Sequence, residues 1–348
     1  MIDASSPAFL IIALSLRTDL IMVSSRILTL ALSTSASVVA ALTTTTRGET
    51  ASAECTKTLP KGRAPGNEYT IPYTDKDGRS RDYLLFLPPK YSTKSNNPII
   101  FSYHGGTRTP ESQRDLDRLE TPYFNTDHIV VYLRGYEERW EGTPNITKRN
   151  DIEYTSNVLD DLEKTYCIDT NRVFMTGKSN GGGFVNYAAC HKELSTRFAA
   201  FAPVSGSYYI EGAEGCNPKT VDIPCNPGRS NIPLIEFHGG IDGTIPYEGN
   251  PSRRGACLPD VFHWVTEWAL RDGLDEKACE KNITSRAQMY RWGTGDKKGL
   301  VTHVYEHDVD HSWPYTGVNA DNKEHGDGPA SYNASSYIMD FFSKHTLA

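Results

Sequence analysis

From residue 69 onward, short apolar runs alternate with longer stretches in which apolar positions recur at helical spacing. The runs Tyr69 to Tyr73, Arg81 to Leu87, Ile99 to Tyr103, Ile129 to Leu133, Arg172 to Thr176, Ala199 to Val204, Leu234 to Phe237 and Leu300 to His307 are of strand length and bounded by turn residues. Asp75-Lys76-Asp77-Gly78 joins the first two as an antiparallel pair, and Pro88-Pro89 closes it. Helices are predicted over Asn150 to Tyr166, Gly182 to His191 and Asp260 to Asp272. Strands alternating with helices predict an α/β fold, a mostly parallel sheet with helices on both faces. No repeat or linker breaks the pattern after residue 66, so residues 54–348 are expected to form one domain.

Residues 1–53 read differently. Asp3, Arg17 and Asp19 surround a short apolar patch; from Met22 the order becomes that of a secretory signal. A basic start (Met22 to Arg26) precedes the apolar stretch Ile27 to Leu42 and the small residues Ala51-Ser52-Ala53. The expectation is an N-terminal extension, a true start at Met22, cleavage after Ala53 and a secreted mature chain. Ser and Thr dilute the apolar stretch, which argues against a membrane anchor.

Export agrees with glycosylation sequons at Asn145, Asn282 and Asn333 and with seven cysteines, a number that leaves at least one unpaired if all bridges are internal. Spacing suggests Cys216–Cys225 and Cys257–Cys279 as local loops. The absence of any Cys-x-x-Cys argues against a metal cluster. The formal net charge is −7, with mixed signs and no basic run, which argues against nucleic acid as a partner. No stretch of the mature region approaches the apolar length of a membrane span.

The chemistry concentrates in four segments. Gly177-Lys178-Ser179-Asn180-Gly181 lies between a predicted strand and a predicted helix, the context that makes Gly-x-Ser-x-Gly a nucleophile elbow. Downstream, Asp242 follows Phe237-His238-Gly239-Gly240, and His311 opens His311-Ser312-Trp313-Pro314. Ser, Asp and His then stand in the order of an α/β-hydrolase triad, each just past a strand. Upstream, Tyr103-His104-Gly105-Gly106 is a loop of the kind that offers backbone N–H groups to an oxyanion.

The reading assigns Ser179 as nucleophile, His311 as base and Asp242 as acid. Asn180 and one of Gly105, Gly106 or Thr107 supply the oxyanion donors. Glu248 and Asp308 compete for the acid, and His303 and His307 for the base; Asp310, adjoining His311, is poorly placed to orient it. His303, His307 and His311 share an i, i+4, i+8 spacing, but the segment reads as a strand that would splay them, so no metal is assigned. Trp140 and Trp313 are expected to line the substrate cleft; Trp264 and Trp268 are expected in the core.

Together these motifs, with Trp140-Glu141-Gly142, Asp169-Thr170-Asn171-Arg172, Ala200 to Gly206 and Arg253 to Pro259, resemble fungal secreted feruloyl esterases of the family 1 carbohydrate esterase type. Polyhydroxybutyrate depolymerase-like esterases are relatives of that group. The resemblance runs from about Arg81 to Phe342. It implies hydrolysis of ferulic or related hydroxycinnamic esters of arabinose or galactose in plant cell-wall polysaccharides, without a cofactor. The alternatives are an acetylxylan esterase, a polyhydroxybutyrate depolymerase, or a non-catalytic carbohydrate-binding module on a hydrolase fold.

Overall fold

The computed structural model describes residues 55–347, so the signal segment expected from Met22 to Ala53 lies outside the described residues. In chain order the strands are β1 (Glu68–Thr74), β2 (Ser80–Phe86), β3 (Asn97–Tyr103), β4 (Ile129–Leu133), β5 (Ile168–Lys178), β6 (Ala200–Val204), β7 (Leu234–Gly239), β8 (Asn250–Arg253), β9 (Ala256–Leu258), β10 (Cys279–Asn282), β11 (Ala287–Trp292) and β12 (Val301–Glu306). The helices are α1 (Pro110–Asp117), α2 (Asp151–Thr165), α3 (Asn180–Ala189), α4 (Leu194–Arg197), α5 (Val261–Arg271), α6 (Ala320–His325) and α7 (Ala334–Phe342).

Ten strands form one sheet in the order β1-β2-β4-β3-β5-β6-β7-β12-β11-β10. Pairing is parallel from β4 through β12 and antiparallel at both margins. The parallel strands are apolar at nearly every position because alternate side chains enter two different cores. Ile99, Phe101 and Tyr103 of β3 join one with Val158 and Leu162 of α2, Phe184 of α3 and Trp264 and Trp268 of α5. Ile100 of β3 joins the other with Phe174, Phe237 and, from α7, Ile338, Phe341 and Phe342. The helices that cover the two faces hold the carboxyl ends of the parallel strands at one rim, where ligands of such sheets bind.

Several elements depart from the sequence expectation. α1 is polar almost throughout and is set by its ends: Pro110 opens it, and Thr109 and Ser112 form a reciprocal capping box. The exposed β10 and the half-buried β11 extend the sheet by antiparallel pairing, against residues without strand-like alternation. The disulfides are Cys55–Cys167, Cys190–Cys225 and Cys216–Cys257, with Cys279 free and exposed. The loops Cys216–Cys225 and Cys257–Cys279 are therefore not the bridges; chain proximity gave no view of the tertiary neighbours each cysteine meets.

Candidate active site

Ser179 stands alone between β5 and α3 with φ 56° and ψ −117°. Such a backbone costs roughly 1–3 kcal/mol and persists only where the surroundings over-determine it. They do so here. The Ser179 N–H donates to the Val204 carbonyl at 2.9 Å, and the Ser179 carbonyl accepts from the N–H groups of Gly183 (2.8 Å) and Ser207 (3.1 Å). A Cβ on Gly177 would lie 2.9 Å from the Gly181 backbone, and one on Gly181 would lie 2.3 Å from the Tyr103 carbonyl oxygen. The two motif glycines are thus fixed by the close approach of β3, β5 and α3.

The loop after β3 is braced from beneath. Gly135 N–H donates to His104 Nε2 at 3.0 Å, so Nδ1 carries the proton and donates to the Gly105 carbonyl at 2.8 Å. Burial lowers the His104 pKa to about 4, and the ring is a neutral spacer. The Trp140 indole N–H donates to the His104 carbonyl at 2.9 Å. Asn180 clamps the same segment: its Oδ1 accepts from the Trp140 N–H at 2.8 Å, and its Nδ2 donates to the Trp140 carbonyl at 3.0 Å.

This bracing leaves the backbone N–H groups of Gly105, Gly106 and Asn180 without partners among the described residues, against the elbow. Thr107 is different: its N–H donates to the Glu138 carbonyl at 2.8 Å. It is therefore spent on holding the loop and drops out as an oxyanion donor.

His311 and Asp242 meet as the motif order predicts. Their Nδ1 and Oδ2 are 2.7 Å apart. Asp242 Oδ1 accepts from the N–H groups of Thr244 (2.9 Å) and Ile245 (2.6 Å), which fixes the carboxylate plane. Burial alone would raise the Asp242 pKa, but the charges and hydrogen bonds of His311 and His238 hold it far below the usual carboxylate range. Burial, then the Lys178 ammonium, lower the His311 pKa; Asp242 opposes them without reversing the direction. His311 and Ser179 line one cleft of about 250 Å³ together with Gly105, Gly106, Tyr209 and Ile245.

The competing groups lie elsewhere. Glu248 pairs with Lys219 at 2.6 Å, and Asp308 with Arg286 at 2.8 Å. Asp310 accepts from the N–H groups of Gly243 (2.8 Å) and His311 (2.6 Å), so it ties the acid loop to the base loop through backbone alone. His303 is buried on β12, whereas His307 is exposed and bonds the Arg286 carbonyl.

Both tryptophans assigned to the cleft are corrected. Trp140 and Trp313 are fully buried and lie behind the cleft wall without lining it. Trp140 is a strut for the oxyanion loop. Trp313 anchors the base loop through its N–H to Asp321 Oδ2 (2.9 Å) and its indole N–H to Ser335 Oγ (3.2 Å). Of the sequons, Asn145 and Asn282 are exposed, while Asn333 is half-buried and accepts two hydrogen bonds from Thr316.

Behind Asp242 lies a buried network that motif reading missed. His238 lies between Glu236 Oε1 (2.9 Å) and Asp242 Oδ2 (3.3 Å), and its Nε2–H also donates to the Ile245 carbonyl (2.9 Å). Burial would lower the His238 pKa, but the two carboxylates outweigh it and raise it to about 10, so this ring is an imidazolium. Tyr208 donates to Glu236 as well (3.1 Å), and His303 Nδ1 lies 2.7 Å from its other oxygen. A second buried pair, Lys178 with Asp321 at 2.9 Å, joins the elbow to α6. The available signal was Glu236 and His238 two apart within the apolar run of β7, on one side of the strand.

No family model matches the chain. In sequence it is similar to a bifunctional acetylxylan esterase/xylanase of Neocallimastix patriciarum, 28% identical over 236 residues, or 67% of this chain and 31% of that protein. Feruloyl esterase B of Piromyces equi is 25% identical over 231 residues, 64% of this chain and 41% of the relative. A probable feruloyl esterase C of Aspergillus niger is 24% identical over 210 residues, 59% of this chain and 73% of the relative. The chain spans less than half the length of the first two. An acetyl xylan esterase structure from Aspergillus awamori shares its fold with a TM-score of 0.53 at 16% identity, covering 80% of this chain and 99% of that one. The likeness establishes the α/β-hydrolase fold and nothing finer.

Proposed function

We propose that the chain is a secreted serine esterase that cleaves feruloyl and related hydroxycinnamoyl esters of arabinose or galactose in plant cell-wall polysaccharides. The observation that carries this reading is the convergence on one cleft of a strained Ser179, a His311 held by Asp242, and the unpartnered N–H groups of Gly105, Gly106 and Asn180. His311 keeps its proton on Nδ1, toward Asp242, so Nε2 is the atom that takes the Ser179 hydroxyl proton. Ser179 Oγ attacks the ester carbonyl, and the oxyanion settles on the three N–H groups. Such donors are worth roughly 3 kcal/mol each in the transition state. His311 then gives its proton to the departing sugar oxygen, leaving an acyl-serine. A water activated by the same ring releases the acid.

Relatives named as feruloyl esterases support the acyl assignment, as does a cleft whose apolar lining includes Tyr209, Leu116 and Ile245. The acetylxylan esterases among the similar proteins favour a second reading, in which the acyl group is acetate. Disulfides fit an oxidising, extracellular setting. The test is the specificity constant for methyl ferulate against p-nitrophenyl acetate. A higher value for ferulate supports the feruloyl assignment, and cleavage of acetate alone replaces it with an acetyl esterase.

A further inference from the structure

The lining of the cleft is basic, in a chain whose net charge is −7. Five cationic side chains line it, against two carboxylates. Arg108 is paired with Glu324, and Lys178 with Asp321. That leaves Arg139, Arg253 and Arg254 with no carboxylate partner among the described residues. Arg139 borders the oxyanion loop, its guanidinium lying 3.6 Å from the space a side chain on Gly106 would take. Arg253 ends β8, and Arg254 lies in the turn between β8 and β9. The Nε of Arg253 is buried and unpartnered, a state that costs free energy unless a ligand fills it.

The turn itself is informative. Arg253 pairs with Ala256, so Arg254 and Gly255 are the two residues of a tight hairpin, with φ of 53° and 75°. Such turns select Asn-Gly or Gly-Gly, because the left-handed backbone costs a bulky side chain about 1 kcal/mol or more. Here the strained position carries an exposed arginine at the mouth of the cleft. The hairpin is also firmly held. Ile210 and Cys257 exchange two backbone hydrogen bonds, the Gly215 N–H donates to the Pro251 carbonyl, and Cys216–Cys257 staples the segment.

We infer that Arg253 and Arg254, with Arg139 lining the same cleft, recognise a carboxylate on the substrate's saccharide, so that the preferred ester is carried by an oligosaccharide containing a uronic acid. The inference rests on the esterase reading above but not on which acyl group is cleaved. A feruloyl or acetyl ester of a neutral sugar offers neutral acceptors or an aromatic face but no negative charge to three unpaired guanidinium groups. A uronate offers a planar acceptor that arginine binds in bidentate fashion.

The test is calorimetric titration of the Ser179→Ala protein, which cannot turn over the ligand, with a glucuronic-acid-bearing xylo-oligosaccharide and with its uncharged counterpart. At low salt the acidic oligosaccharide is expected to bind about tenfold or more tightly than the neutral one, and 0.5 M-scale salt to erase most of the difference. Arg253→Gln with Arg254→Gln should remove the preference. Arg254→Gly should weaken it with no fall in melting temperature, since glycine relieves the left-handed strain. Equal binding of the two oligosaccharides, or a preference that survives the double substitution, overturns the inference. Loss of methyl ferulate hydrolysis in the wild type with the uronate preference intact would overturn only the acyl assignment.

Discussion

Asp242→Asn is the most discriminating single substitution in the site. The amide has one acceptor and one donor end, and the structure dictates which goes where. Oδ1 faces the N–H groups of Thr244 and Ile245, two donors on one loop, so the amide oxygen must stay there. The new NH₂ group then faces His311 Nδ1 at 2.7 Å and the His238 N–H at 3.3 Å. To accept from it, His311 must shift its proton to Nε2, and that ring nitrogen can no longer take the Ser179 proton. Enforcing the wrong tautomer in a serine triad costs on the order of 10⁴ in kcat, or about 5 kcal/mol of barrier. A buried charge-assisted hydrogen bond is also lost, which should lower stability by about 2–3 kcal/mol. The assay is initial-rate kinetics on p-nitrophenyl acetate beside a thermal melt, with Asp310→Asn as the comparison, since Asp310 reaches only backbone N–H groups of the two loops. A rate for Asp242→Asn within tenfold of wild type in a folded protein would refute the reasoning.

The acid limb of the rate profile should lie below the ordinary histidine range, because burial and Lys178 lower the His311 pKa and only the neutral ring is active; Lys178→Met should move the midpoint upward, as pH-rate profiles will show. Stability should fall on the alkaline side. The His238 pKa is raised to about 10, so its contribution is complete below about 6.5 and is lost as pH rises toward 10. Melting temperatures across that window should fall steeply in wild type and less in Glu236→Gln, which removes one of the two carboxylates. Replacing Cys190 and Cys225 by serine opens a bridge of sequence separation 35 and should cost about 4 kcal/mol by loop entropy, measured by denaturant unfolding.

Much of the site was legible because its motifs sit where strands end. Ser179, Asp242 and His311, the residues proposed as a triad, lie just past β5, β7 and β12, and the apolar character of those strands predicts their place in the sheet. What escaped was set by tertiary partners. Trp140 and Trp313 looked like cleft aromatics beside the motifs, yet each uses its indole N–H to brace a loop of the candidate site from the buried side. Thr107 had a backbone N–H in the right loop, but Glu138 takes it. The disulfides join segments 35 to 112 residues apart, so spacing along the chain could not pair them. The polar helix α1 and the exposed β10 carry no periodic signal, since capping and edge pairing form them.

The most direct measurement is to quench a single turnover of methyl ferulate at acidic pH and map the trapped adduct by peptide mass spectrometry. A feruloyl group on Ser179, formed and discharged at rates consistent with steady-state turnover and absent from an inactive Ser179→Ala protein, is the predicted result. Continued hydrolysis by Ser179→Ala, or an acyl group on another residue that turns over at the same rate, would contradict it.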